Sequence, residues 1–433
     1  MLLYTPTITP RLEYISGFIA KEIAGERMRL TDDIEVFKNF SGVKINYSQQ
    51  RVIPDELWIK PHTLLFEKNI YPQALKCMEV NRNKAFFITD GDYPFDIFAA
   101  SFYLLSRYEE YLPHQKDMYD RYAHENSLAF KQGFLNLPLV NIWLGEFRKT
   151  LREKYAMFNA QNSVFRFIPT YDIDEAYSYK YKGVLRTAGA IVKAVLKGRW
   201  EKLSERKKVI RGLMADPFDS FEWMDQLHEK YKLKSRYFFL VSSKTGKYDR
   251  NILPAEPALQ QLIKRHAAKY ETGIHPSWQS GDDTSLMNKE IKILGNITGK
   301  KITSSRQHFI RFTLPQTFRI LINAGIQEDF SMGYGSINGF RASVASPFYW
   351  YDLEKEETTS LQLYPFCFME ANSFFEQKYS SQQALEEVRY YYKQVKMVNG
   401  TMITLWHNTF LGTDKLFTGW REVYEQFINE VTA

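Results

Sequence analysis

The sequence has very little cysteine, with only Cys77 and Cys367 among its 433 residues. Their wide separation fits neither a disulfide framework nor the close spacing of a thiolate zinc site. No stretch reaches the ~18 consecutive apolar residues of a membrane-spanning helix, and the first residues lack the basic and apolar parts of a signal peptide. We therefore expect a soluble, cytoplasmic protein in which both thiols are buried.

Long polar tracts are also missing. With 44% apolar, 16% aromatic and 25% charged residues, the chain can bury a large core and is not expected to be disordered. Its length suggests two domains, because a β/α barrel alone can take up to ~250 residues. The polar stretch NAQNS at 159–163 is typical of a junction. We expect a smaller α/β or α+β domain of unknown role over 1–160 and a second domain over 164–433.

The excess of positive over negative charge is confined to one segment. Between Lys180 and Arg211 there are eleven Lys or Arg and two Glu, so the rest of the chain is slightly acidic although the net charge is +7. This distribution argues against nucleic-acid binding, which needs a basic groove or a recognisable reading module. The basic insertion, at about 180–215, contains a helix with one apolar face. The region 184–211 is interpreted as a peripheral membrane contact, a lid over the site or an ordinary solvated helix.

From Val164 onward, short apolar runs alternate with helical segments, which is the pattern of βα units around a parallel sheet. Seven strand candidates lie at 166–173, 235–242, 270–276, 301–309, 325–331, 360–366 and 400–408. They predict a seven-stranded β/α barrel. In the preceding region the clearest element is a helix over 94–112 with Asp96 near its start.

Several candidate strands end in an ionisable residue. These residues are Asp172 and Asp174, His275, His308, Asp329 and His407. In β/α barrels the catalytic groups converge from the C-terminal ends of different strands around one mouth. Each residue taken singly has a structural explanation, since Asp often caps helices and His often packs in cores. The set taken together predicts an enzyme.

The residue types also predict a chemistry. Asp172 and Asp174 in TYDID are two positions apart, so an extended backbone places both carboxylates on one face. Two carboxylates this close require a cation nearby, either a metal or a basic partner such as Arg341. His275 could bind zinc or a similar ion, and His407 has a side chain suited to donating a proton near neutral pH.

Together these motifs resemble the polysaccharide deacetylases of carbohydrate esterase family four, whose first motif is a Thr-Phe-Asp-Asp type strand end. The resemblance covers nearly the whole chain and is closer to a branch common in Bacteroidetes with an extra N-terminal domain. It is carried by DIFAASFYLLSRYEEY at 96–111, RQHFIRFTLPQTF at 306–318, GIQEDFSMGYGSINGFRAS at 325–343 and TLWHNT at 404–409. The resemblance implies a distorted (β/α)7 barrel that removes an acetyl group from an N-acetylated sugar of a surface polysaccharide or its lipid-linked precursor.

The resemblance also implies a role for each motif residue. Asp172 would be the catalytic base, Arg341 its tether and His407 the general acid. Asp174 and His275 would bind a divalent metal, zinc by preference. Candidates for stacking on sugar faces are Trp278, Tyr334 and Trp406.

The second motif departs from the family pattern. The family has a second histidine four positions after the first, where this chain has Gln279. The third metal ligand is then expected to be His308 or Asp329, or the site binds metal weakly or not at all. Two alternatives follow. One is a non-catalytic glycan-binding or scaffold protein on a degenerate deacetylase fold, and the other is a metal-independent amidohydrolase with a narrow closed pocket in place of an open groove.

Overall fold

The computed structural model describes residues 1–160 and 163–433, so the middle of the predicted junction at 159–163 lies outside the described residues. A four-stranded sheet precedes this junction and a nine-stranded sheet follows it. No helix in these described ranges is both long and apolar enough to cross a membrane.

The first region is a small parallel sheet covered by helices. Its strands are β1 (Leu2–Tyr4), β2 (Arg29–Thr31), β3 (Lys44–Asn46), β4 (Leu57–Trp58), β5 (Met78–Val80) and β6 (Asn83–Ala85), and its helices are α1 (Pro10–Ala24), α2 (Ile34–Asn39), α3 (Ile97–Leu105), α4 (Leu128–Lys131) and α5 (Leu139–Lys154). The parallel sheet has the order β2-β1-β3-β4, while β5 and β6 form a separate hairpin. Helix α1 begins where the Thr9 side chain accepts from the Leu12 amide and ends at Gly25 in the left-handed conformation.

The helix predicted over 94–112 is shorter than expected. Asp96 caps α3 by accepting a hydrogen bond from the Ala99 amide at 2.9 Å, as its position suggested. The helix ends at Leu105 because Arg107 adopts a left-handed backbone with φ of 54°. This turn directs the Arg107 guanidinium into the protein, where it donates to Glu110 at 2.7 Å.

The second region is built on the nine-stranded sheet. Its strands are β7 (Arg166–Ile173), β8 (Arg236–Leu240), β9 (Glu271–His275), β10 (Ser304–Ser305), β11 (Glu328–Asp329), β12 (Phe348–Asp352), β13 (Glu357–Leu363), β14 (Phe368–Met369) and β15 (Thr401–His407). Its helices are α6 (Val184–Leu196), α7 (Trp200–Ile210), α8 (Phe221–Tyr231), α9 (Pro257–Lys269), α10 (Thr284–Thr298), α11 (Gln316–Asn323), α12 (Ser381–Met397) and α13 (Trp420–Thr432). All seven strand candidates from the sequence overlap a strand of this sheet.

The sheet order is β12-β13-β11-β10-β9-β8-β7-β15-β14, and only the β12–β13 pairing is antiparallel. Strands β12 and β14 are the two ends of this hydrogen-bonded ladder, so strand pairing alone does not show the distorted seven-stranded barrel that the sequence predicted. The fold shown is a mixed α/β fold. Because β7, β8, β9 and β15 are adjacent and parallel, their C-terminal ends meet at one edge of the sheet.

The two regions share one hydrophobic core. Polar contacts also join them: the Arg11 guanidinium binds the Glu356 carboxylate at 2.5 Å, and the Tyr14 hydroxyl donates to the Tyr349 carbonyl at 2.8 Å. The first region is therefore packed against the sheet that carries the predicted site.

Candidate metal centre and active-site cleft

Three predicted residues form one cluster of possible metal ligands. Asp174, His275 and His308 each offer a ligand atom, and these atoms all lie within 4.8 Å of one another. Asp174 Oδ1 is 3.0 Å from His275 Nε2, and Asp174 Oδ2 is 3.4 Å from His308 Nε2. Asp174 follows β7, His275 ends β9 and His308 follows β10, so the cluster forms where parallel strand ends meet.

Hydrogen bonds orient both imidazoles toward the centre of this cluster. His275 Nδ1 lies 2.6 Å from the Arg306 carbonyl oxygen, and His308 Nδ1 lies 3.0 Å from a carboxylate oxygen of Asp249. Because these oxygens accept, each Nδ1 carries the proton and donates it. Each Nε2 is thereby directed at Asp174, which is the arrangement that buttresses metal-binding histidines in proteins.

The donor set fits a divalent cation. His275 Nε2 and Asp174 Oδ1 are buried and make no hydrogen bond within the described chain, although they face each other. Buried polar atoms are normally satisfied, so two that are unsatisfied and converge indicate a missing partner. Two imidazole nitrogens and one carboxylate, with an open side toward solvent, are typical ligands of catalytic zinc.

Neighbouring charges shift the pKa values of the cluster residues. Burial acts to raise the pKa of Asp174, but His308, His407 and His275 hold it well below its usual range. Burial acts to lower the pKa of His308, but Asp174 and Asp249 outweigh it and raise it to about 9. A cation bound by His308 would have to displace that proton.

The partner of Asp172 differs from the prediction. Asp172 Oδ1 accepts from Arg306 at 3.0 Å, and Arg306 also donates to the Thr170 hydroxyl at 2.7 Å and to the Phe330 carbonyl at 3.0 Å. Arg306 is fully buried, and burial lowers its pKa. The buried carboxylate of Asp172 is thus held by a fixed cation, with its second oxygen 3.7 Å from His275 Nε2.

Arg341, predicted to tether Asp172, lies elsewhere. Its guanidinium binds the Glu110 carboxylate through two hydrogen bonds of 2.8 Å and 2.6 Å, and it donates to the Gly333 carbonyl at 3.1 Å. Burial acts to raise the pKa of Glu110, but Arg341 and Arg107 outweigh it and lower the value to about 2. The arginine that binds Asp172 is thus Arg306 and not Arg341, whose charge a carboxylate from the first region already neutralises.

His407 lies on the opposite side of Asp174 from His275. Its Nε2 is 3.4 Å from Asp174 Oδ2, and its Nδ1 is 2.7 Å from Glu370 Oε1. The same Glu370 oxygen accepts from the His407 backbone amide at 2.8 Å. Burial acts to lower the pKa of His407, but Glu370 and Asp174 raise it to about 10. Glu370 is fully buried and its own pKa is raised by burial.

The cluster opens into a cleft of about 640 Å³ that Asp172, Asp174, His275, His308 and His407 all line. Six aromatic residues are also among those that line it, namely Tyr119, Phe218, Phe309, Phe375, Phe410 and Phe417. A second recess of about 420 Å³ shares Asp174, His308 and His407 with the cleft and continues it toward Lys247 and Tyr248. The site is therefore reached through an extended groove.

The three predicted sugar-stacking residues do not line this groove. Trp406 is fully buried because it precedes His407 on β15, and consecutive strand residues point to opposite faces. Tyr334 is 1% exposed and packs beneath Arg341, with 5.2 Å between the guanidinium carbon and the ring centre. Trp278 lies behind the groove wall, stacked on Tyr248 at 4.8 Å and covered by Arg311.

Asp329 and Gln279 are also outside the cluster. Asp329 is fully buried and accepts from the hydroxyls of Ser305 at 2.7 Å and Ser331 at 3.0 Å, and burial raises its pKa to about 6. Gln279 is exposed on the loop after β9. Of the two third-ligand candidates, His308 is the one beside Asp174.

The comparison with known proteins gives one family match, over part of the chain. Residues 1–156 match the model of a family of unknown function, DUF7033. No curated protein matches the chain.

Solved structures resemble the chain weakly. A protein from Mycobacterium smegmatis described as a polysaccharide deacetylase is 14% identical over 63% of this chain and 85% of its own, with a TM-score of 0.40. The polysaccharide deacetylase from Bacillus cereus is 10% identical over 62% of this chain and 88% of its own, with a TM-score of 0.30. A family-four pseudoenzyme from Bacillus anthracis is 10% identical over 63% of this chain and 62% of its own, with a TM-score of 0.33.

Three residues of the site were not predicted from the sequence. Arg306 lies two residues before His308, so the motif that supplied one candidate also contained this one. Asp249 lies on the loop after β8, and Glu370 follows the two-residue strand β14. Neither of these acids follows a recognisable strand pattern, and only the folded chain brings them to the imidazoles.

The loop that carries His308 is strained. Phe309 and Ile310 follow it with φ of 59° and 56°, a region that side chains other than glycine rarely adopt. The first region supports this loop, because Arg121 donates to the Phe309 carbonyl at 2.9 Å. Strained backbone of this kind is concentrated at functional sites.

Proposed function

We propose that the protein is a metal-dependent hydrolase that removes an acyl group, an acetyl in the simplest case, from an N-acylated sugar of a surface polysaccharide or its precursor. The observation that carries the proposal is the pair of converging, unsatisfied atoms His275 Nε2 and Asp174 Oδ1, completed by His308. The sequence resemblance to polysaccharide deacetylases supplies the reaction class, and the cleft supplies the residues for it.

Asp174, His275 and His308 would hold the cation, for which zinc is our first candidate. When bound, it would polarise an acyl carbonyl and lower the pKa of a water molecule toward ~7. Asp249 and the Arg306 carbonyl keep both imidazoles in the tautomer that leaves Nε2 free for this role.

The other residues of the cleft divide the proton transfers between them. Asp172 would accept a proton from the attacking water, and its ion pair with Arg306 keeps the carboxylate charged and fixed in orientation. His407, held by Glu370, would donate a proton from Nε2 to the departing amine. The acid and the base approach the cluster from the adjacent strands β15 and β7, with Asp172 and His407 in register.

The groove favours a sugar chain over a small cyclic amide. The cleft and the recess that continues it share Asp174, His308 and His407, so ligand could extend to both sides of the cluster. Tyr119 and Phe309 at their common wall offer aromatic faces for sugar rings. A narrow closed pocket, expected of an amidohydrolase for cyclic amides, does not describe this shape.

We further infer that the sheet is a distorted seven-stranded barrel. The segment after β13 changes partners along its length. On the β11 side, the Tyr364 backbone amide donates to the Asp329 carbonyl at 2.8 Å, and the Phe366 backbone amide donates to the Met332 carbonyl at 3.2 Å. Cys367 then donates to the Ile403 carbonyl at 3.4 Å, and β14 pairs with β15. The segment between β13 and β14 therefore forms hydrogen bonds on the β11 side and, farther along, with β15.

The test is release of acetate from a panel of N-acetylated oligosaccharides, including the N-acetylglucosamine tetramer, by the zinc-loaded protein. Asp172→Asn and His407→Asn should each lower the rate by roughly 10²–10⁴-fold, because each removes one proton transfer. Both variants should keep the bound metal. Asp329→Asn, a change of a buried carboxylate outside the cluster, is the matched control and should retain activity.

Two outcomes would contradict the proposal. Oligosaccharide binding without acetate release from any member of the panel would favour the glycan-binding alternative. Acetate release that persists after complete removal of metal would favour the metal-independent hydrolase.

A further inference from the structure

The hairpin formed by α6 and α7 presents apolar side chains to solvent. Their exposed fractions are large: Val184 84%, Leu185 90%, Val192 56%, Leu196 81%, Trp200 66%, Ile210 56% and Leu213 74%. In α6 not one residue is buried. An apolar surface of this extent is unusual on a protein that has no partner there.

The orientation of α6 is the reverse of an ordinary surface helix. A surface helix normally turns its apolar stripe toward the core and its polar side toward water. Here the half-buried side carries Arg186, Thr187, Ala190 and Ala194, while the leucines and valines face outward. Arg186 fixes this orientation by donating to the backbone carbonyls of Asn251 and Arg250.

The hairpin that exposes these apolar side chains is also strongly basic. The exposed basic residues of the hairpin are Lys193, Lys197, Arg199, Lys202, Lys207, Lys208 and Arg211. The remainder of the chain is slightly acidic, so this is a local feature. A second copy of the hairpin would bring two strongly basic surfaces together and be repelled, whereas an anionic surface would attract it.

We propose that this hairpin, residues 180–213, docks on an anionic lipid bilayer. Its apolar side chains would enter the boundary between headgroups and acyl chains, and its lysines and arginines would contact the lipid phosphates. Exposed leucine, valine and tryptophan combined with many lysines and arginines is the composition of helices that lie in the membrane interface.

The hairpin is attached beside the groove. Lys182 at its start forms an ion pair with Glu175, and Glu175 and Arg250 both line the cleft. A bilayer under the hairpin would therefore lie near the mouth of the candidate site. The inference about the substrate rests on the proposed function: the substrate would be an acylated sugar attached to a membrane lipid.

The test is co-sedimentation of the full chain with vesicles of phosphatidylcholine alone or with about one third phosphatidylglycerol. We expect binding to the anionic vesicles at least about tenfold tighter than to the neutral ones, and weaker at high salt. Leu185→Glu with Leu196→Glu should weaken binding at least about 100-fold, since two apolar side chains no longer enter the interface. The matched control, Met157→Glu with Met397→Glu, changes exposed side chains elsewhere and should bind as wild type.

Equal binding to neutral and anionic vesicles, or none to either, would overturn the proposal. So would a dimer in sedimentation velocity that the Leu185 and Leu196 substitutions dissociate, because a second copy would then cover the face. Vesicle binding is measured without turnover, and acetate release from soluble oligosaccharides without vesicles. Failure of the membrane proposal and failure of the proposed function are therefore observed separately.

Discussion

Replacing Asp174 with asparagine tests the metal centre directly. The substitution keeps the shape of the side chain and removes the charge that two cluster histidines face at 3.0 Å and 3.4 Å. Loss of a residue that merely supports a metal ligand typically weakens binding 10–100-fold. Because Asp174 is itself a candidate ligand, we expect Asp174→Asn to weaken zinc binding at least about 100-fold.

The effect can be read as a change in thermal stability. At a free zinc concentration about 100 times the wild-type Kd, binding stabilises the folded chain by about 2.7 kcal/mol. A chain of 433 residues has an unfolding entropy of about 0.9 kcal/mol/K, so zinc should raise the wild-type Tm by about 3 °C. At the same zinc concentration, binding should stabilise the variant by about 0.4 kcal/mol, which raises its Tm by less than 1 °C.

The assay compares Tm with and without zinc for each protein, together with metal content by elemental analysis. Subtracting the zinc-free Tm removes any intrinsic effect of the substitution on the fold. Asp329→Asn is the control, because Asp329 is another buried carboxylate at a strand end. A variant at Asp174 that still binds one zinc per chain with the wild-type Tm increase would refute the assignment, as would an equal loss in Asp329→Asn.

Three further results are expected. Glu110→Ala leaves Arg107 and Arg341 buried without their shared carboxylate. It should therefore lower the free energy of unfolding, measured with urea, by about 3–5 kcal/mol without changing the zinc content. Glu370→Gln should keep the metal but lower acetate release about 10–100-fold, because the carboxylate that fixes the His407 imidazole and raises its pKa is removed. The buried His228 has its pKa lowered to about 3 by burial, below the 6.5 of the unfolded chain. Its contribution to stability is complete above pH 6.5 and is lost as the pH falls toward 3. Between pH 7 and pH 5, the free energy of unfolding of His228→Gln should therefore fall by about 2 kcal/mol less than that of wild type. Urea unfolding at both pH values measures this difference.

The strand ends were predictable from the sequence because the rule behind them is local. Apolar runs of five to eight residues predict strands, parallel strands share one edge, and residues two apart share one face. Asp174, His275 and His308 follow from those rules, and the structure places them together. The same alternation could have excluded Trp406, since it immediately precedes His407 on one strand and must point the other way.

The partner of a buried charge was not predictable in this way. Arg306 and Arg341 are both arginines in motifs near strand ends, and the sequence alone does not show which one reaches Asp172. Glu110 binds Arg341 and so leaves Arg306 as the arginine that binds Asp172. Glu110 is 231 positions before Arg341 and contacts it only in the folded chain. Assigning the tether from motif order alone therefore selected the arginine that is already neutralised.

The ion pair between Glu110 and Arg341 bears on the role of the first region. Glu110 neutralises Arg341, Arg121 supports the strained loop after His308, and Tyr119 forms part of the groove wall. A region that served only to recruit a partner would not need to supply a buried counter-ion to the sheet that carries the site. A buried arginine without its carboxylate is costly, so the second region depends on the first for its stability as well as for the shape of its groove. Met118, Tyr119 and Arg121, from the segment that matches the family of unknown function, thus line the candidate active-site cleft.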